Sequence, residues 1–408
     1  MQSSRYSVRS SVHDILDPRN AVHEIKLTIN GSGTGEVDRL RKIAARPDWQ
    51  IALAVTAGLR VFYSVMASAF LPFLHPDPNS IHSNGLTENL PAPHGVHYAV
   101  LGIWERFDTL WFLRIAEHGY DRPMSVIFYP LYPLAIRIGS WVLPPIVAAL
   151  LVSLIAAFFF FWGLLRLAGS ELPDTRRLYV LSLVLVWPTS FILFAGYAES
   201  LTLALVVWAI VLGREGRWGP ATVCGLLAGL SRPTGVLVAI PLIVLALRSR
   251  RAAVLPVLLT PLGTLGYWSW LRWSGHTSVV EAYRLHQGMA LAPPWTGLGE
   301  ALRLIVSQRD LLLAIKLAAV ILFAALCLRR AVRLEDKLFA LAVLLQMLMY
   351  TGRPLLGAMR YLLLVYPAFV VLGGYAERNS KRFGFYLVAM ELLNLSWMWA
   401  FLNWSLVL

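Results

Sequence analysis

The sequence predicts an all-α polytopic membrane protein, and three features lead to this fold class. Of the 408 residues, 57% are hydrophobic and only 14% are charged, whereas soluble domains have about 25% charged residues. The mean hydropathy is positive. Apolar runs long enough to cross a bilayer of about 30 Å recur along the chain. So few charges cannot cover the surface of soluble domains, and the composition also excludes a disordered or fibrous chain.

The apolar runs predict about 11 (10–12) transmembrane helices. They lie near residues 50–73, 145–166, 177–195, 198–213, 218–231, 234–248, 252–273, 310–328, 336–350, 361–376 and 383–405. Residues 1–49 are polar, so we expect a cytoplasmic N-terminal tail followed by a membrane-embedded domain over 50–408. The glycine-rich stretch 31–35 lacks the Lys-Ser/Thr of a phosphate-binding loop and is typical of a flexible tail.

The net charge of +13 predicts an orientation rather than a nucleic-acid partner. Basic residues concentrate at 39–46, 166–177, 214–217, 248–251, 329–333 and 378–382. With the N-terminus inside and the C-terminus outside, all of these clusters fall on the cytoplasmic face, as the positive-inside rule requires. Cys224 and Cys327 lie in apolar runs and predict neither a disulfide nor a metal site.

The apolar segment 127–143 is predicted to be a re-entrant or interfacial helix. A full crossing here would put every later basic cluster outside. Its two prolines and Arg137 also disfavour an uninterrupted helix in contact with lipid. The preceding outer loop, 74–126, is expected to contain interfacial helices.

The segment Trp104–Asp121 of this outer loop has the highest density of chemically capable side chains. Its apolar residues follow helical spacing, and Glu105, Asp108 and Arg114 lie outside the apolar face of the predicted helix. Aromatic residues at both ends suit a helix that lies in the membrane interface. Two interpretations remain open from these residues alone, namely a reaction centre or a surface helix with solvated acids.

Four further segments follow in order: Phe128-Tyr-Pro-Leu-Tyr-Pro133, Gly196-Tyr-Ala-Glu-Ser200, Ser231-Arg-Pro-Thr-Gly235 and Arg360-Tyr361. Together with Trp104–Asp121 they resemble the PIG-V family, the GPI mannosyltransferase 2-like group of the GT-C membrane glycosyltransferases. The resemblance runs from about residue 104 to 361. It departs at Phe107 and Phe112, where Trp and Tyr are expected, but both positions keep an aromatic ring.

The resemblance implies a GT-C-like helical bundle that moves a sugar from a polyprenyl phosphate, most simply mannose, to a glycolipid or glycan. It also implies that an acidic residue of the first outer loop, here Asp108, is the catalytic residue. A carboxylate can take the acceptor proton, and guanidinium groups match the phosphate that leaves. The candidate substrate-binding residues are Arg106, Arg114, His118, Glu199, Arg232, Arg353, Arg360 and Tyr361.

Each of these residues also has a structural interpretation. The arginines can reach lipid headgroups, Glu199 can interact with the N-terminus of its helix, and His118 can pack and form hydrogen bonds. The loop 274–309 offers His276, Glu281, His286 and Trp295 for contact with the acceptor. No metal or cofactor is expected, because the acids show no close pair or His cluster at metal-ligand spacing.

Three charged residues fall inside predicted spans: Arg60, Lys316 and Glu391. Counting about 1.5 Å per residue puts Arg60 and Glu391 at similar depths of roughly 12–15 Å, which predicts that they form an ion pair. Lys316 lies near the outer face, where it can reach the headgroups or a donor phosphate.

The sequence therefore predicts an inverting, polyprenyl-phosphate-sugar-dependent glycosyltransferase whose active site is extracytoplasmic. The compact length and the excess of Arg over Lys suggest a bacterial cell membrane, where a GPI anchor cannot be the acceptor. A GT-C relative with another sugar or acceptor remains an alternative. So does a secondary transporter or lipid flippase, which would have inverted repeats and ionisable groups near the midplane.

Overall fold

A computed structural model describes residues 42–82, 86, 90, 94–249, 251–376 and 380–405. Residues 42–47 belong to a separate N-terminal unit, Met1–Pro47, and the helical body is Asp48–Leu408. Its α-helices are α1 Asp48–Phe70, α2 Pro78–His82, α3 Gly95–Val100, α4 Asp108–His118, α5 Leu131–Gly139, α6 Pro145–Gly169, α7 Asp174–Leu185, α8 Glu199–Arg214, α9 Trp218–Ser231, α10 Ala239–Ser249, α11 Val254–Val257, α12 Leu262–Trp273, α13 Val279–Gln287, α14 Pro294–Gln308, α15 Leu311–Cys327, α16 Leu334–Met347, α17 Ala358–Tyr361, α18 Tyr366–Ala376 and α19 Ser380–Leu402.

The described residues contain a single sheet of two very short antiparallel strands. Strand β1, Ala290–Leu291, pairs with β2, Tyr350–Thr351, with Ala290 opposite Thr351 and Leu291 opposite Tyr350. This pairing attaches the loop after α13 to the segment before α17. The prediction of an all-α membrane protein is confirmed at the level of fold class.

Helix α8 lies at the centre of the bundle, between α6 and α9. Gly163 allows α6 to approach α8 closely, because a Cβ at position 163 would lie only 2.6 Å from Cγ1 of Val207 in α8. Small residues serve this purpose in membrane helices, where close packing replaces the hydrophobic effect as the force between helices. Helix α1 packs on α6, and α18 packs on α7.

The predicted number of about 11 crossings is not confirmed. Within the part of the chain that the structure describes, four helical segments are long and apolar enough to span a bilayer, namely Asp48–Phe73, Pro145–Gly169, Val254–Trp273 and Arg382–Leu402. A fifth is added if Ala358–Leu364 and Tyr366–Ala376, which are bent by 75°, form one span. The other predicted spans are shorter or broken. For example, 177–195 consists of α7 followed by a 3₁₀ turn at Ser190–Phe194.

Segment 127–143 does not form a long helix. Its one α-helix is α5, whose nine residues extend about 14 Å, less than half of the hydrocarbon thickness of about 30 Å. Pro130 immediately precedes α5, and Pro133 lies in its first turn. Leu134, Ile138 and Trp141 are exposed, as expected for a short helix with an apolar face.

Arginines of the basic clusters at 166–177, 214–217, 248–251 and 329–333 meet at one end of the bundle, which we call the arginine face. Its ion pairs join Arg166 to Glu215 at 2.7 Å, Arg214 to Glu171 at 3.0 Å, Arg248 to Glu335 at 2.9 Å and Arg177 to Asp48 at 2.6 Å. Arg214 ends α8 and Glu199 begins it, so these residues are about 22 Å apart along the helix. The arginine face and the region around Glu199 are therefore at opposite ends of α8.

The predicted Arg60–Glu391 ion pair is wrong. Nη1 of Arg60 donates to the carbonyl of Phe194 at 3.0 Å, and the guanidinium lies 5.4 Å from the ring of Trp104. The contact between α1 and α19 is made instead by Tyr63, whose hydroxyl accepts from Asn394 at 2.7 Å. Equal depth along two helix axes does not fix the direction in which each side chain points around its helix.

Candidate active site

Two acidic and two basic side chains that are distant in sequence form one chain of ion pairs. Nη1 of Arg360 donates to Oδ2 of Asp108 at 3.0 Å and lies 3.1 Å from Oε1 of Glu199. The same Oε1 of Glu199 accepts from Nη1 of Arg232 at 2.6 Å. We call Asp108, Arg360, Glu199 and Arg232 the charge cluster.

The ends of four helices bring the charge cluster together. Asp108 is the first residue of α4, and Glu199 is the first residue of α8. Arg232 directly follows α9, and Arg360 lies in the short helix α17. Charged side chains fit at helix ends, where unpaired backbone groups are found and where both acids benefit from the positive end of the helix dipole.

Burial differs within the charge cluster in a way that separates the roles of its members. The Asp108 side chain is 26% exposed, whereas that of Glu199 is 5% exposed. Asp108, Arg232 and Arg360 line a cavity of about 100 Å³, but Glu199 does not. Glu199 therefore lies behind the two arginines and orients them, while Asp108 can meet a ligand.

Aromatic residues form nearly half of the remaining wall of this cavity. The other lining residues are Phe112, Ile127, Phe128, Tyr129, Ser231, Pro233, Tyr283, Gln287, Met289, Met347, Tyr350, Leu356 and Tyr361. Aromatic faces combined with a few convergent polar groups are typical of ligand sites.

Two tyrosines orient the guanidinium groups. The hydroxyl of Tyr361 accepts from Nη2 of Arg232 at 3.0 Å, and the Arg232 guanidinium lies 5.3 Å from the Tyr361 ring centre. The Arg360 guanidinium lies 5.7 Å from the ring of Tyr197, and the Tyr197 hydroxyl accepts from the backbone N–H of Asp108 at 3.4 Å. Stacking and hydrogen bonds together restrict a guanidinium more than either interaction alone.

The environment keeps Arg232 charged. Burial alone would lower the pKa of its guanidinium, but the carboxylate of Glu199, assisted by Tyr361, outweighs burial and raises the pKa above its ordinary value. The cavity therefore presents a fixed positive charge next to the Asp108 carboxylate.

A strained residue positions Asp108. Phe107 has a φ of 46° and a ψ of −116°, a conformation that is costly for any residue with a side chain. Its ring packs between Phe401 and Trp404, at centroid distances of 5.5 and 5.1 Å. Packing against the end of α19 therefore holds the turn that starts α4 at Asp108, which explains the use of an aromatic residue at position 107.

The sequence-predicted site residues divide into two groups. Asp108, Glu199, Arg232, Arg360 and Tyr361 come together, as described above. Arg106 does not reach the cavity, since its guanidinium is buried and donates to the carbonyls of Gly102, Glu105 and Leu402 and to the hydroxyl of Tyr98. In this structure Arg106 connects the outer loop to the end of α19.

Arg114, His118 and Arg353 also lie outside the cavity lining. Arg114 forms a bidentate pair with Asp121, with Nε 3.2 Å from Oδ1. His118 is half exposed and lies 3.9 Å from Glu117. Arg353 is exposed. Lys316, half-buried in α15, is not among the lining residues either.

The loop 274–309 does reach the cavity, but through residues other than those the sequence analysis named. His276 stacks on Trp270 at 5.1 Å, Glu281 pairs with Arg284, and Trp295 is exposed. Tyr283, Gln287 and Met289 line the cavity instead. Spacing on α13 could have indicated Tyr283 and Gln287, which are four residues apart and share a helix face.

Curated relatives match part of the chain. A GPI alpha-1,6-mannosyltransferase 2 from Homo sapiens is 27% identical over 174 residues, covering 39% of this chain and 34% of the human protein. The Mus musculus enzyme of the same name is 28% identical over 203 residues, covering 45% and 40%. That of Cricetulus griseus is 31% identical over 144 residues, covering 32% and 29%.

These matches span only about a third to two fifths of the relatives' length. No protein-family model and no solved structure matches the chain. The resemblance to GPI mannosyltransferase 2 inferred from the motifs is confirmed by these partial but consistent similarities. Among the described residues, no three His, Cys, Asp or Glu side chains are grouped so that they could hold a metal ion.

Gly196 is expected to control the position of Asp108. A Cβ at this position would lie 2.5 Å from Cγ2 of Thr109, so Gly196→Ala should push the start of α4 and cost about 1–3 kcal/mol of stability. We expect a lower catalytic rate and a lower melting temperature, both largely restored by adding Thr109→Ser, which removes Cγ2. Gly219→Ala is the control, because no atom lies within 4 Å of its Cβ position. Equal rates in the single and double variants would contradict this role of Gly196.

Glu105 is expected to make stability depend on pH. Burial raises the pKa of its carboxyl from 4.5 to about 7. The positive charge of Arg106 opposes this shift, and the negative charge of Glu117 adds to it. Between these two values the unfolded chain loses a proton that the folded protein keeps, so stability falls as pH rises from 4.5 to 7 and then levels off. Glu105→Gln should remove this loss and stabilise the protein by about 1–3 kcal/mol at pH 8 but not at pH 4.5. Melting curves across this range test the prediction, and parallel pH profiles of variant and wild type would contradict it.

Proposed function

We propose that this protein is an inverting membrane glycosyltransferase that moves a hexose, most simply mannose, from a polyprenyl phosphate to a hydroxyl group. The observation that supports this function best is the cavity in which one partly exposed carboxylate, Asp108, lies beside two fixed guanidinium groups, Arg232 and Arg360. The partial similarity to mannosyltransferases supports the choice of sugar. The acceptor is a glycolipid or glycan.

Asp108 acts as the general base in this proposal. The acceptor oxygen attacks the anomeric carbon from the side opposite the phosphate, while its proton passes to the Asp108 carboxylate. A new C–O bond forms as the anomeric C–O(phosphate) bond breaks, and the electron pair of the broken bond stays on the phosphate oxygen. Proton transfer to a positioned carboxylate contributes about 10²–10⁴-fold to the rate.

Arg232 and Arg360 stabilise the leaving group. The donor is a phosphodiester with one negative charge, and the departing polyprenyl phosphate gains a second one. Guanidinium groups that are already oriented by Glu199, Tyr361 and Tyr197 need little reorganisation to meet this charge. Arginine also fits phosphate oxygens in a bidentate manner that lysine cannot reproduce.

Arg360 couples the two halves of the reaction. It contacts Asp108 at 3.0 Å and Glu199 at 3.1 Å through the same Nη1 atom. A donor phosphate competes with the Asp108 carboxylate for this guanidinium, because both are anions that accept from the same group. When the donor binds, Asp108 loses part of its ion pair and becomes a better base for the acceptor.

The charge cluster lies at the end of α8 opposite to the arginine face. By the positive-inside rule the arginine face is cytoplasmic, so we propose an extracytoplasmic active site. Such a location suits a lipid-linked donor, whose sugar is delivered at the membrane surface without a soluble nucleotide.

The test is a reconstitution of transfer. The purified protein in nanodiscs is incubated with polyprenyl-phosphate mannose and a lipid extract of the host, and the products are analysed by mass spectrometry. We expect hexose addition with this donor and none with nucleotide sugars. If no polyprenyl-phosphate sugar supports hexose addition, the proposed function is wrong. Donor-independent lipid movement that survives Asp108→Asn would favour a flippase instead.

A further inference from the structure

A second cavity lies at the arginine face, distant from the charge cluster. Its volume is about 690 Å³, and it is lined by the turn after α6, the loop between α15 and α16, and one side of α18. We call it the arginine pocket and define it by Arg329, Arg330, Arg333, Glu171 and Tyr375. The mechanism proposed above uses none of these residues.

The arginine pocket is positively charged. Glu171 is the one acid among its lining residues, and it is already paired, with Oε1 3.0 Å from Nη1 of Arg214 and 3.6 Å from Nε of Arg333. Arg329 stacks on Tyr375 at 5.1 Å and donates to its hydroxyl at 2.6 Å. Among the residues that the structure describes, Arg330 has no ion pair or hydrogen-bond partner for its side chain. Two positive charges, on Arg329 and Arg330, therefore remain without a counter-ion here.

The other wall of the arginine pocket is apolar. It is formed by Leu172, Val332, Pro367, Val370 and Val371. Leu328, which directly precedes Arg329, is 55% exposed, so an apolar surface continues past the rim of the pocket. A ligand that fits both walls carries an anionic group next to a hydrocarbon chain.

We propose that the arginine pocket binds the headgroup of an anionic glycerophospholipid. Its phosphate contacts Arg329 and Arg330, and its acyl chain continues along Val370 and Val371. The positive-inside rule places this end of the bundle in the cytoplasmic leaflet, where anionic lipids and basic pockets between helices meet. Arginines that only orient a protein need to be near the membrane surface. Arg329, Arg330 and Arg333 instead line a cavity that also has an apolar wall. This proposal does not depend on the enzymatic activity.

Native mass spectrometry of the delipidated protein tests the proposal. Phosphatidylglycerol, phosphatidylcholine and inorganic phosphate are added separately, and bound lipid is counted. We expect phosphatidylglycerol to bind at least about tenfold more tightly than phosphatidylcholine. Arg329→Gln/Arg330→Gln should weaken phosphatidylglycerol binding about thirtyfold, since each arginine near an anionic lipid contributes about one kcal/mol. Both side chains are exposed, so the double variant should fold, which gel filtration checks.

Arg217→Gln is the matched control. Arg217 lies at the same end of the bundle and is 62% exposed, but it does not line the arginine pocket. Its substitution should leave phosphatidylglycerol binding unchanged. Equal binding of both phospholipids, or an equal loss in the control, would overturn the proposal in favour of non-specific attraction. Tight binding of inorganic phosphate without preference for the lipid would show a site for free phosphate instead.

Discussion

Asp108→Asn is expected to lower the rate of sugar transfer about 10²–10⁴-fold, the usual contribution of a general base. Asparagine has nearly the same shape, and its side-chain oxygen can still accept from Nη1 of Arg360, which lies 3.0 Å from Oδ2 of Asp108. It cannot take the acceptor proton. The donor should therefore bind at least as well as in the wild type, because a neutral amide oxygen competes less strongly than a carboxylate with the donor phosphate for Arg360. Transfer rates and donor affinity, measured on the same preparation, separate these effects.

Asp121→Asn provides the control for this substitution. Asp121 is also an acid of the first outer loop that pairs with an arginine, Arg114, but it does not line the cavity. Its variant should retain the transfer rate within about threefold, since pairs of this kind contribute at most about 1 kcal/mol. An Asp108→Asn protein with at least a tenth of the wild-type rate would exclude Asp108 as the base.

The members of the charge cluster could be predicted from sequence for a physical reason. Asp108, Glu199, Arg232 and Arg360 all lie at or next to the ends of apolar segments. A charge at the end of a membrane helix lies at one membrane surface or the other. Once the positive-inside rule has fixed the orientation of the chain, the membrane face of each such charge is known. Sorting by face and the resemblance to the PIG-V family together gave the candidates, but which of them touch each other depends on packing between helices.

The site residues that the sequence analysis predicted wrongly or missed also depend on packing and on local backbone conformation. Arg106 and Asp108 are two residues apart in sequence, and only Asp108 lines the cavity, because the positive φ of Phe107 turns the chain between them. No periodicity in the sequence reveals a single strained residue. Tyr283 and Tyr350 join the wall because the β1–β2 pair brings their segments together, and two-residue strands leave no recognisable alternation. Short and broken helices likewise made the number of crossings unpredictable from hydropathy.

Glu199→Gln is expected to have the largest effect on folding. Its carboxylate is 5% exposed and neutralises two guanidinium groups that are 13% and 9% exposed. Without it, two buried positive charges share the single carboxylate of Asp108, and removal of one partner from a buried pair costs about 3–5 kcal/mol. The melting temperature in detergent should fall markedly. Glu281→Gln, which breaks the exposed pair with Arg284 at 2.7 Å, should change stability by less than about 1 kcal/mol.

A double variant separates this electrostatic explanation from a general loss of packing. Glu199→Gln/Arg232→Gln removes one charge of each sign, so it leaves the Asp108–Arg360 pair balanced and should be more stable than Glu199→Gln alone. Transfer should nevertheless stay low in both, because the double variant also lacks one of the two guanidinium groups proposed to stabilise the leaving phosphate. If the two substitutions destabilise additively, Glu199 does not act by neutralising Arg232. Recovery of stability without recovery of rate would instead assign Glu199 to positioning and Arg232 to the reaction itself.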